Sequence, residues 1–248
     1  MRLKRFCLAA ITALAMLGSQ TQAQIITSDT EPNTNILLDN LSIGSSTGGV
    51  INASATQGAR GTEFSVGVAG EMLNINSLII QANNPDTFAA GENFTVALFS
   101  GVPGTFTAPG TFANVNPGYL DANTGLSLEY SETFAANTAT STGANGAADG
   151  AVGNNDYVKF NFAAPVLVNG GQSLHAFVFT DFAFSQREGA NNGGGRLQFR
   201  ENSTALNPSG SRDFNFAIHG EVVEVPEPTT AAVLGLGTLG MLMRRRRG

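Results

Sequence analysis

Apolar and polar residues alternate at every second position along most of this chain. Phe64, Val66 and Val68 alternate with Glu63, Ser65 and Gly67; Phe94, Val96 and Leu98 with Asn93, Thr95 and Ala97; Leu126, Leu128 and Tyr130 with Ser127, Glu129 and Ser131. Further on, Val158, Phe160 and Phe162 oppose Tyr157, Lys159 and Asn161. Leu197 and Phe199 sit among Arg196, Gln198 and Arg200, and Phe214, Phe216 and Ile218 alternate with Asp213, Asn215 and Ala217. Successive strand side chains point to opposite faces, so this period predicts half-buried strands with one wet face. Parity changes between Ile75 and Leu78, which predicts a bulge or a strand that switches partner. Leu174 to Phe179 is apolar on both faces and is expected to be a central strand.

The punctuation between these runs points to an antiparallel architecture. Asn169-Gly170-Gly171 separates Val166-Leu167-Val168 from the strand at Leu174 and has the left-handed-tolerant residues of a tight hairpin. The stretches 101–118, 135–155 and 189–195 read as loops, and the first two are long enough to be expected to wander over the surface. With no long helical pattern, 17 Phe and no Trp, the expected fold is all-β, an antiparallel β-sandwich with jelly-roll-like character. Phe160, Phe162, Phe214 and Phe216 are its expected core.

The two ends have other patterns. Arg2, Lys4 and Arg5 precede an apolar segment from Phe6 to Gly18, and Thr21-Gln22-Ala23 places small residues where a signal peptidase reads, so cleavage is expected after Ala23. Cys7 leaves with that segment. The mature chain then holds no cysteine, which removes disulfides, thiolate catalysis and zinc-thiolate sites together. At the other end Pro226-Glu227-Pro228 is followed by an apolar run from Thr229 to Met243 and then Arg244, Arg245, Arg246 and Arg247. The prolines forbid helix continuation and present Glu227 on extended chain. The uncharged run suits a short hydrophobic helix in lipid, and the arginines orient it by staying on the cytoplasmic side. At about 1.5 Å per residue the run spans roughly 22 Å against a hydrocarbon core of roughly 30 Å, which fits a transient anchor better than a permanent one.

This ordered triad closely resembles the PEP-CTERM tail of bacterial exported proteins. The resemblance implies that a membrane-embedded exosortase-type enzyme recognises Pro226, Glu227 and Pro228 and cleaves there; a simple tail anchor and a chance apolar terminus are the competing readings. The domain organisation expected is a signal peptide over 1–23, a β-sandwich body over 24–224 and a sorting tail over 225–248. The stretch 36–223 also looks like the choice-of-anchor domains of bacterial surface proteins, type R above all. The likeness rests on Gly61-Thr62-Glu63-Phe64, Leu78-Ile79-Ile80, Phe94-Thr95-Val96-Ala97-Leu98-Phe99 and the turn from Pro165 to Leu174. It implies a β-rich body whose molecular role is undefined in that family.

Charge narrows the partners. Of 13 basic residues three lie in the N-terminal segment and four in the tail, leaving six against 19 acids and a net charge near −13 for the exported chain. Such a surface repels nucleic acid and anionic lipid while keeping a secreted protein soluble.

Candidate chemistry is sparse. His175 shares a strand face with Phe177 and Phe179, which favours a satisfied, partly buried histidine over a general base, and His219 reads as a solvated strand-end residue. Among 19 acids a carboxylate pair for glycoside hydrolysis arises by chance. Sugar-stacking platforms are limited to Tyr119, Tyr130 and Tyr157. Asp149, Asn154, Asn155 and Asp156 supply hard oxygen atoms in a Gly-rich loop, a candidate Ca²⁺ site beside the plain reading of a solvated loop. Gly193 to Gly195 opens no helix, which argues against a phosphate cradle. The expectation is an exported, non-enzymatic cell-surface or matrix protein with no cofactor. The alternatives are a carbohydrate- or calcium-binding module of an extracellular polysaccharide layer and a glycoside hydrolase-like enzyme.

Overall fold

The computed structural model describes residues 23–41, 47–51, 59–105, 115–142, 151–189, 196–198, 207–209 and 213–223. In chain order the strands are β1 (Gln24–Ser28), β2 (Ile36–Asp39), β3 (Thr47–Ile51), β4 (Ala59–Phe64), β5 (Met72–Gln81) and β6 (Asp86–Thr87). Then come β7 (Asn93–Gly101), the helix α1 (Pro117–Asn123), β8 (Leu126–Ala135), β9 (Thr140–Thr142), β10 (Ala151–Val152) and β11 (Tyr157–Asn169). The chain continues through β12 (Leu174–Thr180), β13 (Phe184–Gly189), β14 (Arg196–Gln198), β15 (Asn207–Ser209), β16 (Asp213–Phe214) and β17 (Phe216–Val223).

Two six-stranded sheets carry the body, one ordered β2-β17-β5-β11-β1-β9 and the other β15-β14-β4-β12-β7-β8. A three-stranded sheet β16-β13-β3 and the ribbon β10-β6 flank them. The described ladders are antiparallel except for β1 beside β9. The alternating residues put large rings between the sheets, where apolar area leaves water on both sides at once. Phe94 on β7 meets Phe160 on β11 with centroids 5.1 Å apart, Phe134 on β8 meets Phe160 at 5.3 Å, and Phe64 on β4 meets Phe216 on β17 at 5.9 Å. The body is thus a mostly antiparallel sandwich of two facing sheets. Phe160, Phe162 and Phe216 lie in this core as expected; the side chain of Phe214 lies outside the described residues.

The parity change in β5 is a bulge at Asn76. Ile75 faces Gly220 while Ser77 faces His219, so one extra residue on β5 opposes none on β17. Leu73, Ile75, Leu78 and Ile80 consequently all enter the core. On the other side, Phe162 to Pro165 oppose Asn76 alone. β12 is buried along its whole length between β4 and β7, the central strand its two apolar faces predict.

Several expectations are corrected. The Asn169-Gly170-Gly171 turn is no hairpin: β11 pairs with β1 and β5 in one sheet, and β12 with β4 and β7 in the other. The glycines are needed for a close approach to the 66–71 turn. Gly170 N–H donates to Glu71 O at 3.0 Å, Gly171 N–H to Val66 O at 2.9 Å, and a Cβ on Gly170 would stand 2.3 Å from the Val68 carbonyl oxygen. The alternation through Val68 overruns its strand, since β4 ends at Phe64 and Val68 is exposed in that turn. In β8 a register shift opposite Leu98 and Phe99 inverts the faces within one unbroken alternation. Tyr130 and Phe134 join the inner core, whereas Leu126 and Leu128 pack on the outer cluster with Phe99.

The outer faces are not uniformly wet either. Within the expected loop 101–118, Asn116 caps α1, its side chain accepting from Tyr119 N–H at 2.9 Å with Pro117 following. This short helix lays Leu120 over Ala97, Phe99 and Phe177. The expected loop 135–155 also contributes structure at both described ends. A single 3₁₀ turn at Ala136–Thr138 leads into β9, which pairs with β1, and β10 pairs with β6. Asn215, read as solvent-facing, is buried where the chain passes from β16 to β17; its amide donates to Leu41 O at 3.1 Å and Gln81 Oε1 at 2.9 Å.

Candidate functional site

One end of the sandwich is where the chain leaves the body. Val223 pairs with Met72, and Met72 with Asn169, so the C-terminal exit lies beside the β11–β12 turn. A cleft of about 410 Å³ opens there, lined by Ser100, Gly101, Val102, Glu129, Leu167 and Ser173 among others. Its hydroxyls are committed to carboxylates: Ser173 Oγ donates to Glu63 Oε1 at 2.6 Å, and Ser100 Oγ donates to Glu129. Glu71 Oε2 accepts from Val68 N–H at 2.9 Å and stiffens the adjoining turn. The sorting-tail residues Pro226, Glu227 and Pro228 and Arg244 to Arg247 lie outside the described residues. So does the proposed signal segment up to residue 22; Ala23, the expected cleavage position, directly precedes β1.

A second groove, of about 320 Å³, lies on the outer face of the first sheet between β1, β9 and β11. Ile26, Ser28, Glu31, Thr142, Tyr157 and Lys159 line it. The Tyr157 hydroxyl donates to Glu31 Oε2 at 3.4 Å, and burial pushes that phenol above its ordinary range, with the Glu31 charge adding to the effect. Burial also pushes the Lys159 ammonium down. Each of the two grooves holds one carboxylate, Glu129 or Glu31, so neither presents a converging pair.

The histidines resolve differently. His175, expected to be partly buried, is fully buried in the central strand β12, and its Nε2–H donates to Gly101 O at 3.0 Å. That bond assigns the lone pair to Nδ1, which is buried with no hydrogen-bond partner, and burial holds the imidazole below its ordinary value. His219, expected to be solvated, is 3 % exposed: it lies inside the sheet between β2 and β5, opposite Ile36 and Ser77, and on the same outward parity as Ala217, which packs with Leu41. Burial, reinforced by the nearby Lys159 cation and opposed by Asp39, lowers it to about 4. Neither ring reaches a groove, which leaves both without the access a proton-transfer catalyst needs.

The calcium candidates are partly consumed by the protein. Asn155 adopts a positive φ of 66°, its carbonyl accepts from Gln81 Nε2 at 3.0 Å, and its Oδ1 accepts from the Arg187 guanidinium. Asp156 is buried and its Oδ2 accepts from Gly153 N–H at 2.7 Å. Asn154 sits at the tip of the same turn, and Asp149 lies outside the described residues. Among the described residues no cluster of three or more His, Cys, Asp or Glu side chains is placed to hold a metal.

Sequence reasoning missed a buried ion pair, Arg60 on β4 with Glu188 on β13, which ties the three-stranded sheet to the second large sheet. Gln186 Nε2 donates to the same Glu188 Oε1 at 3.4 Å. No local signal marks this pair, because its members are 128 residues apart. The sequence also holds a Gly-x-Ser-x-Gly string, Gly44-Ser45-Ser46-Thr47-Gly48. A nucleophile elbow places its serine between a strand and a helix, but here strand β3 begins at Thr47, and Ser46 lies outside the described residues.

Comparison with protein families matches residues 224–247 to the PEP-CTERM protein-sorting motif. No curated protein and no solved structure matches the chain. Among the described residues no helix is long and apolar enough to cross a membrane; the tail's apolar run falls outside them.

Proposed function

We propose that this chain is an exported, non-catalytic surface or matrix protein whose β-sandwich body is delivered and processed through its C-terminal tail. The observation that carries the reading is the sorting motif over residues 224–247 at the end of an all-β body. In this reading an N-terminal signal peptide is cleaved after Ala23, Thr229 to Met243 forms a short transient membrane helix, and Arg244 to Arg247 hold its end on the cytoplasmic side. An exosortase-type membrane enzyme then reads Pro226, Glu227 and Pro228. In this reading the body is jelly-roll-like and choice-of-anchor-like, type R, and the crossings between the two large sheets from β4 to β5 and from β11 to β12 are compatible with such a winding. The lack of an accessible histidine and the single carboxylate in each groove favour a binding or structural role over hydrolysis.

The test is Glu227→Ala. Export should persist while the protein accumulates as an unprocessed membrane-bound form; release and processing at the wild-type level would refute the assignment.

A second reading, a module that binds extracellular polysaccharide, is favoured by the groove that places the Tyr157 ring beside the hydroxyls of Ser28 and Thr142 and the Lys159 ammonium. Retention of the protein on its own cell's polysaccharide, lost in Tyr157→Ala, would select it.

A further inference from the structure

We propose that the end of the body from which the chain leaves is a lipid-contacting surface, resting on the membrane that holds the tail, with Val68, Val102, Leu167 and Val222 entering its interfacial layer. This inference rests on the reading of Thr229 to Met243 as a membrane segment. Among the described residues the large apolar side chains left exposed are Val68 at 64 %, Val102 at 80 %, Leu167 at 55 % and Val222 at 52 %. A lone exposed valine calls for no explanation. Here all four gather at one end. Val68 lies against Gly170 in the β11–β12 turn, Val102 and Leu167 share the 410 Å³ cleft, and Val222 pairs with Leu73, which pairs with Val168.

Tether length decides which surface can reach lipid. Val223 is the last residue of β17 and the apolar run begins at Thr229, so the link spans at most about 20 Å when fully extended. The opposite end of the sandwich is farther by the length of β5, ten residues or about 33 Å at strand rise. With the tail in the bilayer, the exit end is held close to lipid and its exposed side chains meet the interface. The partner is an electrically neutral lipid surface, because Glu63, Glu71, Glu129 and Glu221 occupy the same end and would be repelled by anionic headgroups.

The test uses the chain from Gln24 to Gly248, which lacks the apolar segment Phe6 to Gly18 and holds no cysteine of its own, carrying one new cysteine at Val102→Cys or Leu167→Cys, or at the far-end control Asn84→Cys. Each is labelled with a polarity-sensitive fluorophore and reconstituted into phosphatidylcholine vesicles. The probes at 102 and 167 should shift to the blue and be quenched by brominated lipid, while the probe at 84 emits as in buffer; replacing part of the lipid with an anionic one should diminish the shift. If the chain floats with the vesicles and all three probes stay equally wet, the lipid-contacting surface is overturned and the tail reading stands. If the chain does not float, the tail reading falls and the proposal with it. A shift seen only when an exosortase-type enzyme shares the vesicles overturns the lipid assignment in favour of a protein partner.

Discussion

Between the two large sheets, burial follows chain parity: Phe94, Phe160 and Phe162 face inward and Lys159 and Asn161 face outward. On the outer faces it does not. Ala97 and Phe99 have the opposite parity to the core-facing Phe94, Val96 and Leu98, yet both are fully buried beneath Leu120 of α1 with Phe177 at 5.6 Å. Ala217, on the outward parity of β17, is buried with Ile79 and Leu41, and His219, on the same parity, is also buried. An inner face is buried by the act of forming two sheets, whereas an outer face is buried only where some other segment lands on it.

The largest expected effect breaks the inner side of this comparison. Phe160→Ala removes a ring packed against Phe94 and Phe134 and should cost about 3 to 5 kcal/mol through lost transfer energy and the residual cavity, a large part of the roughly 5 to 15 kcal/mol that holds an ordinary domain together. Lys159→Ala, one residue away, should cost about 1 kcal/mol or less. Denaturant melts decide it; a more damaging Lys159→Ala would mean that the register is inverted.

Leu120→Ala sharpens the outer side. Although its helix covers a face that alternation assigns to water, the substitution should cost about 2 to 4 kcal/mol, somewhat below Phe160→Ala because a short surface helix can settle into the space. An unchanged melting temperature would show that α1 is a dispensable cover.

The smallest effect concerns His219 and pH. Its folded-state pKa is lowered to about 4 by burial and by Lys159, against Asp39, while the unfolded chain titrates near 6.5. The unfolded state therefore binds the proton first. Stability is complete above about 6.5 and declines as pH falls toward about 4, by on the order of 3 kcal/mol at most. His175, also held low by burial, adds in the same direction. His219→Gln should flatten that part of the Tm-against-pH curve; an equally steep decline in the variant would assign it to other groups.

Much of this architecture is legible in the sequence. The bulge at Asn76 shows as a parity change between Ile75 and Leu78, and the central strand β12 as an apolar run on both faces. The sorting tail is readable because proline geometry, helix length in lipid and the placement of arginines act on contiguous residues. The turn at Gly170 and Gly171 shows where a local signal stops informing. The sequence determines that the backbone must pass through left-handed and crowded positions there, and it cannot say whether the next strand joins the same sheet or crosses to the other.

What the sequence by itself determined is the all-β alternation, the inward parity of Phe94, Phe160 and Phe216, and the address at the C-terminus, since each depends on neighbours a few positions apart. What only the tertiary structure decided is the crossing at Gly170, the covering of Phe99, the burial of His219, the pairing of Arg60 with Glu188 and the gathering of four exposed apolar side chains at one end. Those depend on contacts between segments distant in sequence. Alternation specifies which way a side chain points, and only packing specifies what it meets there.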